Sequence, residues 1–210
     1  MILLTGFEPF GGADANPSID AARLAAADLV RAGVDAAAVE LPCVFGRRAG
    51  SAGAVLEDAL AAHRPDVVIA TGLAGNRNRL SLERVAINVM DARIADNAGE
   101  QPVDVPVRAD GPAAYFTTLP VKRARARLEA SGFPAEVSQT AGTYVCNSVF
   151  YELMHQLAGV PGARAGFVHV PPAAGQWSVP RIGRALGVVA GCAAGPDGGH
   201  DDVAPAGAES

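Results

Sequence analysis

A cysteine just ahead of a helical pattern is the residue of this chain best placed to act as a nucleophile. Cys146 follows a short strand-like run and a glycine-containing turn. A sulfur at a helix N-terminus meets the partial positive charge of the aligned peptide dipoles, so we expect a cationic partner to lower its pKa and favour the thiolate. The first amides of the helix lack intrahelical partners and can receive an oxyanion. The alternative is a buried, small apolar residue, which is common for a free cysteine.

A histidine inside an apolar strand is the candidate partner for this thiol. His169 stands in GFVHVPP, near the end of a strand-like run. An imidazole that takes the thiol proton and later protonates a leaving amine is what a cysteine peptidase requires. A packed core histidine is the other interpretation. The remaining histidines are weaker candidates, since His63 and His155 lie in helical patterns and His200 lies in a polar C-terminal stretch.

A third polar group usually orients such an imidazole, and Glu83 is the candidate. It lies in the apolar, strand-like run RLSLERVAIN, where it either turns inward or faces solvent with Arg84. Arg93 follows in DARIADN and either lines the same cleft or pairs with Asp91 or Asp96. Sequence spacing alone does not place these side chains.

The elements that must position these residues alternate between strand-like and helix-like patterns. Asn16 followed by Pro17 is typical of a helix start, and the polar stretch 96–110 is typical of a loop or surface excursion. Alternation predicts an α/β fold: a single domain with a central, largely parallel mixed twisted sheet covered by helices on both faces. Sites in such folds gather at the carboxyl ends of the strands. The predicted strands are 1–5, 37–41, 66–71, 80–90, 135–139 and 166–170, and the predicted helices are 17–31, 48–63, 119–131, 147–158 and 179–193.

Composition excludes several function classes. Of the 210 residues 50% are hydrophobic and 19% are charged, which is typical of a globular chain, and we expect one folded domain over 1–194 and a disordered tail over 195–210. The net charge of −5 argues against a general affinity for nucleic acid or a membrane surface. The basic run 122–127 is interpreted as a solvated helix face.

The cysteine pattern and the lack of a long apolar run predict a reduced, cytoplasmic protein. The three cysteines, at positions 43, 146 and 192, form no disulfide framework and no CxxC pair, so neither structural zinc nor another metal is expected. We see no signal peptide, no membrane-spanning apolar run and no cofactor motif. The glycine-rich first loop lacks the spacing of a phosphate-binding loop. Its Phe7 and Phe10 suit either the core or the walls of a small apolar pocket.

Six segments, collinear over about residues 1 to 172, resemble the pyroglutamyl peptidase I (pyrrolidone-carboxylate peptidase) family of cysteine peptidases. They are TGFEPFGG with NPS at 16–18, GLAGNRNRLSLERVAIN at 72–88, DARIADNAG at 91–99, PAAYFTTLP at 112–120, SQTAGTYVCN at 138–147 and GFVHVP at 166–171. The Glu-bearing and Cys-bearing segments are long and unusual, so chance agreement of both is not expected.

This resemblance implies an omega-peptidase that removes an N-terminal pyroglutamyl residue from peptides through a thioester, as a homotetramer and without a cofactor. By motif position, Glu83, Cys146 and His169 are its catalytic group. The positions that match the substrate pocket are Phe7, Phe10, Asn16, Arg93, Ile94, Tyr144 and Val145. A pyroglutamyl ring is a neutral lactam, so aromatic faces and backbone groups suffice to bind it.

Two features depart from the family pattern. Pro172 stands where a tyrosine is usual, in a shortened 172–178 connection, and Cys43 replaces a hydroxyl or apolar residue near the pocket. These departures leave open the leaving-group preference, the efficiency and the tetrameric assembly that the resemblance implies. Two other functions remain open: a nucleoside phosphorylase-like enzyme, which would survive alkylation by iodoacetamide, and a catalytically impaired relative that still binds the pyroglutamyl ring.

Overall fold

A computed structural model of the chain describes residues 1–195, 201–203 and 205–207. Within these residues, no helix is long and apolar enough to cross a bilayer. The strands are β1 (Ile2–Phe7), β2 (Ala36–Leu41), β3 (Val67–Leu73), β4 (Leu80–Glu83), β5 (Val85–Ile87), β6 (Ala114–Phe116), β7 (Ala135–Ser138) and β8 (Arg164–Val170). The helices are α1 (Pro17–Arg31), α2 (Ala52–His63), α3 (Val121–Ala130), α4 (Val145–Leu157) and α5 (Val179–Ala194).

The central sheet has six strands in the order β2-β1-β3-β8-β4-β7. Strands β2, β1, β3 and β8 are parallel to one another, whereas β4 runs antiparallel to β8 and β7 runs parallel to β4. The predicted α/β fold with a largely parallel mixed sheet is therefore confirmed.

Helices cover both faces of the sheet, which explains why its inner strands read as continuous apolar runs. Ile2 and Leu4 of β1 pack on the side of α1, α3 and α5, whereas Leu3 packs on the side of α2 and α4. Successive side chains of β1 point to opposite faces of the sheet and are buried in two separate cores, so the strand has no polar face.

The predicted single strand over 80–90 is wrong, because the chain changes sheets at Arg84. Its backbone N–H donates to Ser138 O at 2.9 Å, on the β7 side, while its C=O accepts from Thr117 N at 3.0 Å, next to β6. Strand β5 then pairs with β6 in a separate two-stranded antiparallel sheet. The sequence patterns did not predict β6, because this strand has only three paired residues.

The interpretation of Asn16 as a helix cap is confirmed: its side-chain oxygen accepts from Ser18 N at 3.1 Å. The predicted disordered tail falls partly on residues 196–200, 204 and 208–210, which lie outside the described residues. In its described part, the Asp201 carboxylate accepts from the backbone N–H of Lys122 (3.0 Å) and Arg123 (2.9 Å) at the start of α3. Disorder of the remainder stays a prediction.

Candidate active site

Glu83 and His169 meet in the interior of the sheet although 86 positions separate them. The Nδ1 atom of His169 lies 2.7 Å from Glu83 Oε1, and both side chains are buried. Because an ionised carboxylate only accepts hydrogen bonds, Nδ1 carries the proton and Nε2 is left as the basic nitrogen. Antiparallel pairing of Glu83 with Phe167, two residues before His169, produces this contact.

Cys146 lies in the first turn of α4, with its sulfur against β3. A Cβ atom built on Gly72 would lie 2.7 Å from Cys146 Sγ and 2.9 Å from the Phe167 ring, so only glycine leaves room for the sulfur there. Gly72 is in register with His169 on the neighbouring strand. Since laterally paired residues of adjacent strands project to the same face, the sulfur and the imidazole occupy one side of the sheet.

The expectation of a lowered pKa at Cys146 is wrong in this structure. Burial raises the pKa of the Cys146 thiol, and the nearby Cys43 and Glu83 raise it further. The backbone N–H of Cys146 and the Arg77 guanidinium act in the opposite direction but do not outweigh desolvation. The thiol is therefore neutral at pH 7, and a base must remove its proton during catalysis.

The N-terminus of α4 offers hydrogen-bond donors beside this sulfur. Tyr144 is the N-cap residue and makes no side-chain capping bond. The first backbone bond of the helix runs from Ser148 N to Tyr144 O at 3.2 Å. Within the described residues, the N–H groups of Val145, Cys146 and Asn147 have no acceptor in another residue, so they are available to a developing negative charge.

Aromatic rings flank the nucleophile segment in two groups. Phe7 is buried at the end of β1 and its ring centroid lies 6.5 Å from that of Phe167, which in turn lies 4.9 Å from the His169 ring. Phe10 is half-buried, and its centroid lies 6.2 Å from that of Tyr144, the residue before Val145. Phe7, at the end of β1, thus lies beside the ring that contacts His169, and Phe10, in the loop that follows, lies next to the α4 N-terminus.

The remaining pocket candidates differ in exposure. Asn16 and Val145 are buried, and Asn16 Nδ2 donates to Glu8 O at 3.0 Å within the first loop. Ile94 is 46% exposed. Arg93 is also exposed, and among the described residues it forms no ion pair with either predicted aspartate. Asp96 instead accepts from Phe45 N at 2.8 Å.

Comparison with known proteins decides the family. The profile described as pyroglutamyl peptidase matches residues 1–181. The pyrrolidone-carboxylate peptidase of Cupriavidus taiwanensis is 56% identical over 174 residues, which cover 81% of this chain and 77% of that protein. That of Streptomyces coelicolor is 54% identical over 171 residues, with the same coverage of 81% and 77%. This chain belongs to the pyroglutamyl peptidase family.

Solved structures of pyroglutamyl peptidases agree with the observed fold. The pyroglutamyl peptidase I of Bacillus amyloliquefaciens superposes with a TM-score of 0.86 at 39% identity and covers 97% of this chain and 98% of its own. The pyrrolidone carboxyl peptidase of Pyrococcus furiosus gives a TM-score of 0.78 at 38% identity, covering 90% and 95%. The predicted family is therefore confirmed.

Sequence reasoning missed two residues of this pyroglutamyl peptidase site. Gly72, which makes room for the sulfur, lies in the family segment 72–88 but was not itself named as a site residue. Arg77 lies in the same segment, and its Nη1 donates to Glu83 Oε1 at 2.6 Å. The signal for Arg77 was a charged residue close behind a buried strand, at the edge of the sheet where sites are expected.

Proposed function

We propose that this chain is a pyroglutamyl-peptidase I, a cysteine-type exopeptidase that hydrolyses the amide bond between an N-terminal pyroglutamyl residue and the next residue of a peptide. The observation that carries the proposal is the contact of His169 Nδ1 with Glu83, with Cys146 Sγ lying at the β3 position in register with His169. Nucleophile, base and orienting carboxylate thereby share one side of the sheet, in a chain whose relatives carry the same activity in their names.

The reaction begins from a neutral thiol. His169 Nε2 takes the Sγ proton of Cys146, and the thiolate attacks the carbonyl carbon of the pyroglutamyl residue. The carbonyl oxygen becomes an oxyanion, to which the free N–H groups at the start of α4 donate. Glu83 stabilises the imidazolium and keeps Nδ1 protonated.

Collapse of the tetrahedral intermediate breaks the C–N bond and leaves a thioester. The imidazolium of His169 gives its proton to the leaving amine, and the shortened peptide departs. Water then loses a proton to His169 and attacks the thioester carbon. Pyroglutamate leaves and Cys146 regains its proton, so atoms and charge balance over the cycle.

The lactam ring binds between the aromatic side chains of Phe7, at the end of β1, and Phe10, in the loop that follows. The other lining residues are Asn16, Arg93, Ile94, Tyr144 and Val145. Apolar ring faces bury the methylenes of the lactam, and backbone groups pair with its N–H and C=O. A prolyl peptide, which lacks the lactam C=O, leaves a backbone donor unpaired and is rejected.

The enzyme works in the cytoplasm as a homotetramer, by analogy with its family.

A fluorogenic pyroglutamyl-coumarin amide tests this function under reducing conditions. Wild-type protein is expected to release coumarin from this substrate but not from the prolyl analogue. The Cys146→Ala and His169→Ala variants are expected to show no turnover. Glu83→Gln is expected to retain more activity than Cys146→Ala, since an orienting residue often contributes less than the nucleophile. Absence of release by folded wild-type protein would overturn the proposal. Binding of pyroglutamate without turnover would then indicate an impaired relative.

A further inference from the structure

A single arginine bridges Glu83 and the segment that leads into Cys146. Arg77 lies in the loop between β3 and β4, and its Nη1 donates to Glu83 Oε1 at 2.6 Å. The same carboxylate oxygen accepts from His169 Nδ1 at 2.7 Å. Arg77 Nη2 also donates to Thr140 O at 3.1 Å, in the segment that leads into α4 and Cys146.

The Glu83 carboxylate depends on this contact because it has little other support. Its side chain is fully buried, while that of Arg77 is 24% exposed. Among the described residues, Glu83 Oε2 is a buried oxygen without a hydrogen-bond partner. An ionised carboxylate buried with one oxygen unpaired is costly unless a cation compensates it. Arg77 and His169 both bind the Glu83 carboxylate through Oε1.

The titratable groups around Glu83 come from three elements. Arg77 approaches from the loop after β3, His169 from β8 and Cys146 from α4. On β7, the Glu136 carboxylate binds Ser81 instead, accepting from Ser81 Oγ at 2.7 Å. Among the described residues, Arg77 is therefore the permanent positive charge in direct contact with the Glu83 carboxylate.

We propose that Arg77 is a positioning residue of the reaction: its guanidinium keeps Glu83 aimed at His169 Nδ1, and fixes this pair relative to the segment that carries Cys146. Arg77 acts through Glu83 and takes no proton itself. The inference rests on the proposed peptidase function. It assigns to Arg77 an effect on kcat at little change in KM, whereas a purely structural ion pair would affect stability alone.

The test compares Arg77→Gln and Arg77→Lys with the matched control Arg79→Gln. Arg79 lies two residues along the same loop and is exposed, and its one ion pair among the described residues is a long 3.8 Å contact with Glu136. For each protein, kcat and KM are measured with the pyroglutamyl-coumarin amide, and the thermal unfolding midpoint verifies folding.

Arg77→Gln is expected to lower kcat by about 100-fold while KM changes less than about threefold. Arg77→Lys keeps the charge but not the fork of donors, so it should retain only part of kcat. Arg79→Gln should match wild type.

In a second measurement, millimolar guanidinium chloride should restore activity to Arg77→Ala, whereas urea at the same concentration should not. Wild-type kcat in folded Arg77→Gln would overturn the inference. So would a loss confined to KM or to the unfolding midpoint. If Arg77→Gln does not fold, the kcat of Arg77→Lys, expected to lie below that of wild type, and the guanidinium response of Arg77→Ala decide. An inactive wild-type protein would instead refute the peptidase function, and the inference with it.

Discussion

The side chain of Asn147 hydrogen-bonds both backbone polar groups of Ile87: Oδ1 accepts from the Ile87 N–H at 3.0 Å, and Nδ2 donates to the Ile87 C=O at 2.9 Å. Nδ2 also donates to Val89 O at 3.0 Å. The residue after the nucleophile therefore holds the chain that leaves Glu83, and couples α4 to β5.

Replacing this amide by a methyl group should destabilise the protein without touching the reacting atoms. Asn147 is fully buried, so Asn147→Ala leaves three backbone groups unpaired and is expected to lower the free energy of unfolding by about 3 kcal/mol. Urea denaturation measures the change. Asn76→Ala, at an exposed loop position, is the control and should stay within about 0.5 kcal/mol of wild type. Equal effects of the two substitutions would contradict the role of Asn147.

A methyl group on Gly72 should displace the sulfur of Cys146. The added Cβ would lie 2.7 Å from Sγ, closer than such contacts allow, so α4 or β3 must shift. Misplacing a reacting atom by about 1 Å costs about 100-fold in rate, and we expect Gly72→Ala to lose at least about that much in kcat. Gly75→Ala, where a Cβ meets no atom within 4 Å, should retain kcat. Full activity of folded Gly72→Ala would show that the sulfur does not react from this position.

The neutral thiol makes a prediction about alkylation of the free protein. Because burial raises the pKa of Cys146, the thiolate is scarce at neutral pH and its fraction grows as pH rises. The rate of iodoacetamide labelling at Cys146, followed by mass spectrometry, should therefore still climb between about pH 7 and about pH 9.

Cys192→Ser removes a competing thiol from this measurement, and Cys43 stays largely protonated because burial raises its pKa to about 12. A labelling rate that reaches its plateau below pH 7 would reveal a thiolate–imidazolium pair in the free protein and contradict the expected neutral thiol.

A buried ion pair anchors the excursion between β5 and β6. Arg108 Nε donates to both oxygens of Glu152 at 3.0 and 3.1 Å, and the side chains are only 17% and 2% exposed. Arg108→Ala leaves the carboxylate buried without its closest cation and is expected to cost about 3 kcal/mol of unfolding free energy. Arg48 and Glu100 form an ion pair that is 53% and 54% exposed, so Arg48→Ala should cost less than about 1 kcal/mol. Thermal or urea unfolding compares the two, and a similar cost would refute the anchor.

Local signals explain why so much of the fold was predictable. Apolar runs marked the buried strands, and Asn16 ahead of Pro17 marked the start of α1, because caps and periodicity act within a few residues. The break at Arg84 was not predictable, because its N–H and C=O find partners in two different sheets, and both partners lie more than thirty positions away along the chain.

By itself, the sequence determined the α/β alternation and the family, and it named Cys146, His169 and Glu83 as the catalytic candidates, since residue types and their order along the chain carry that information. Only the tertiary structure decided that β4 runs antiparallel to β8, which brings Glu83 within reach of His169, that Arg77 binds Glu83, and that burial raises the pKa of Cys146. These outcomes depend on distances between segments far apart in the chain and on the local exclusion of water, and both arise only when the sheet and its helices pack together.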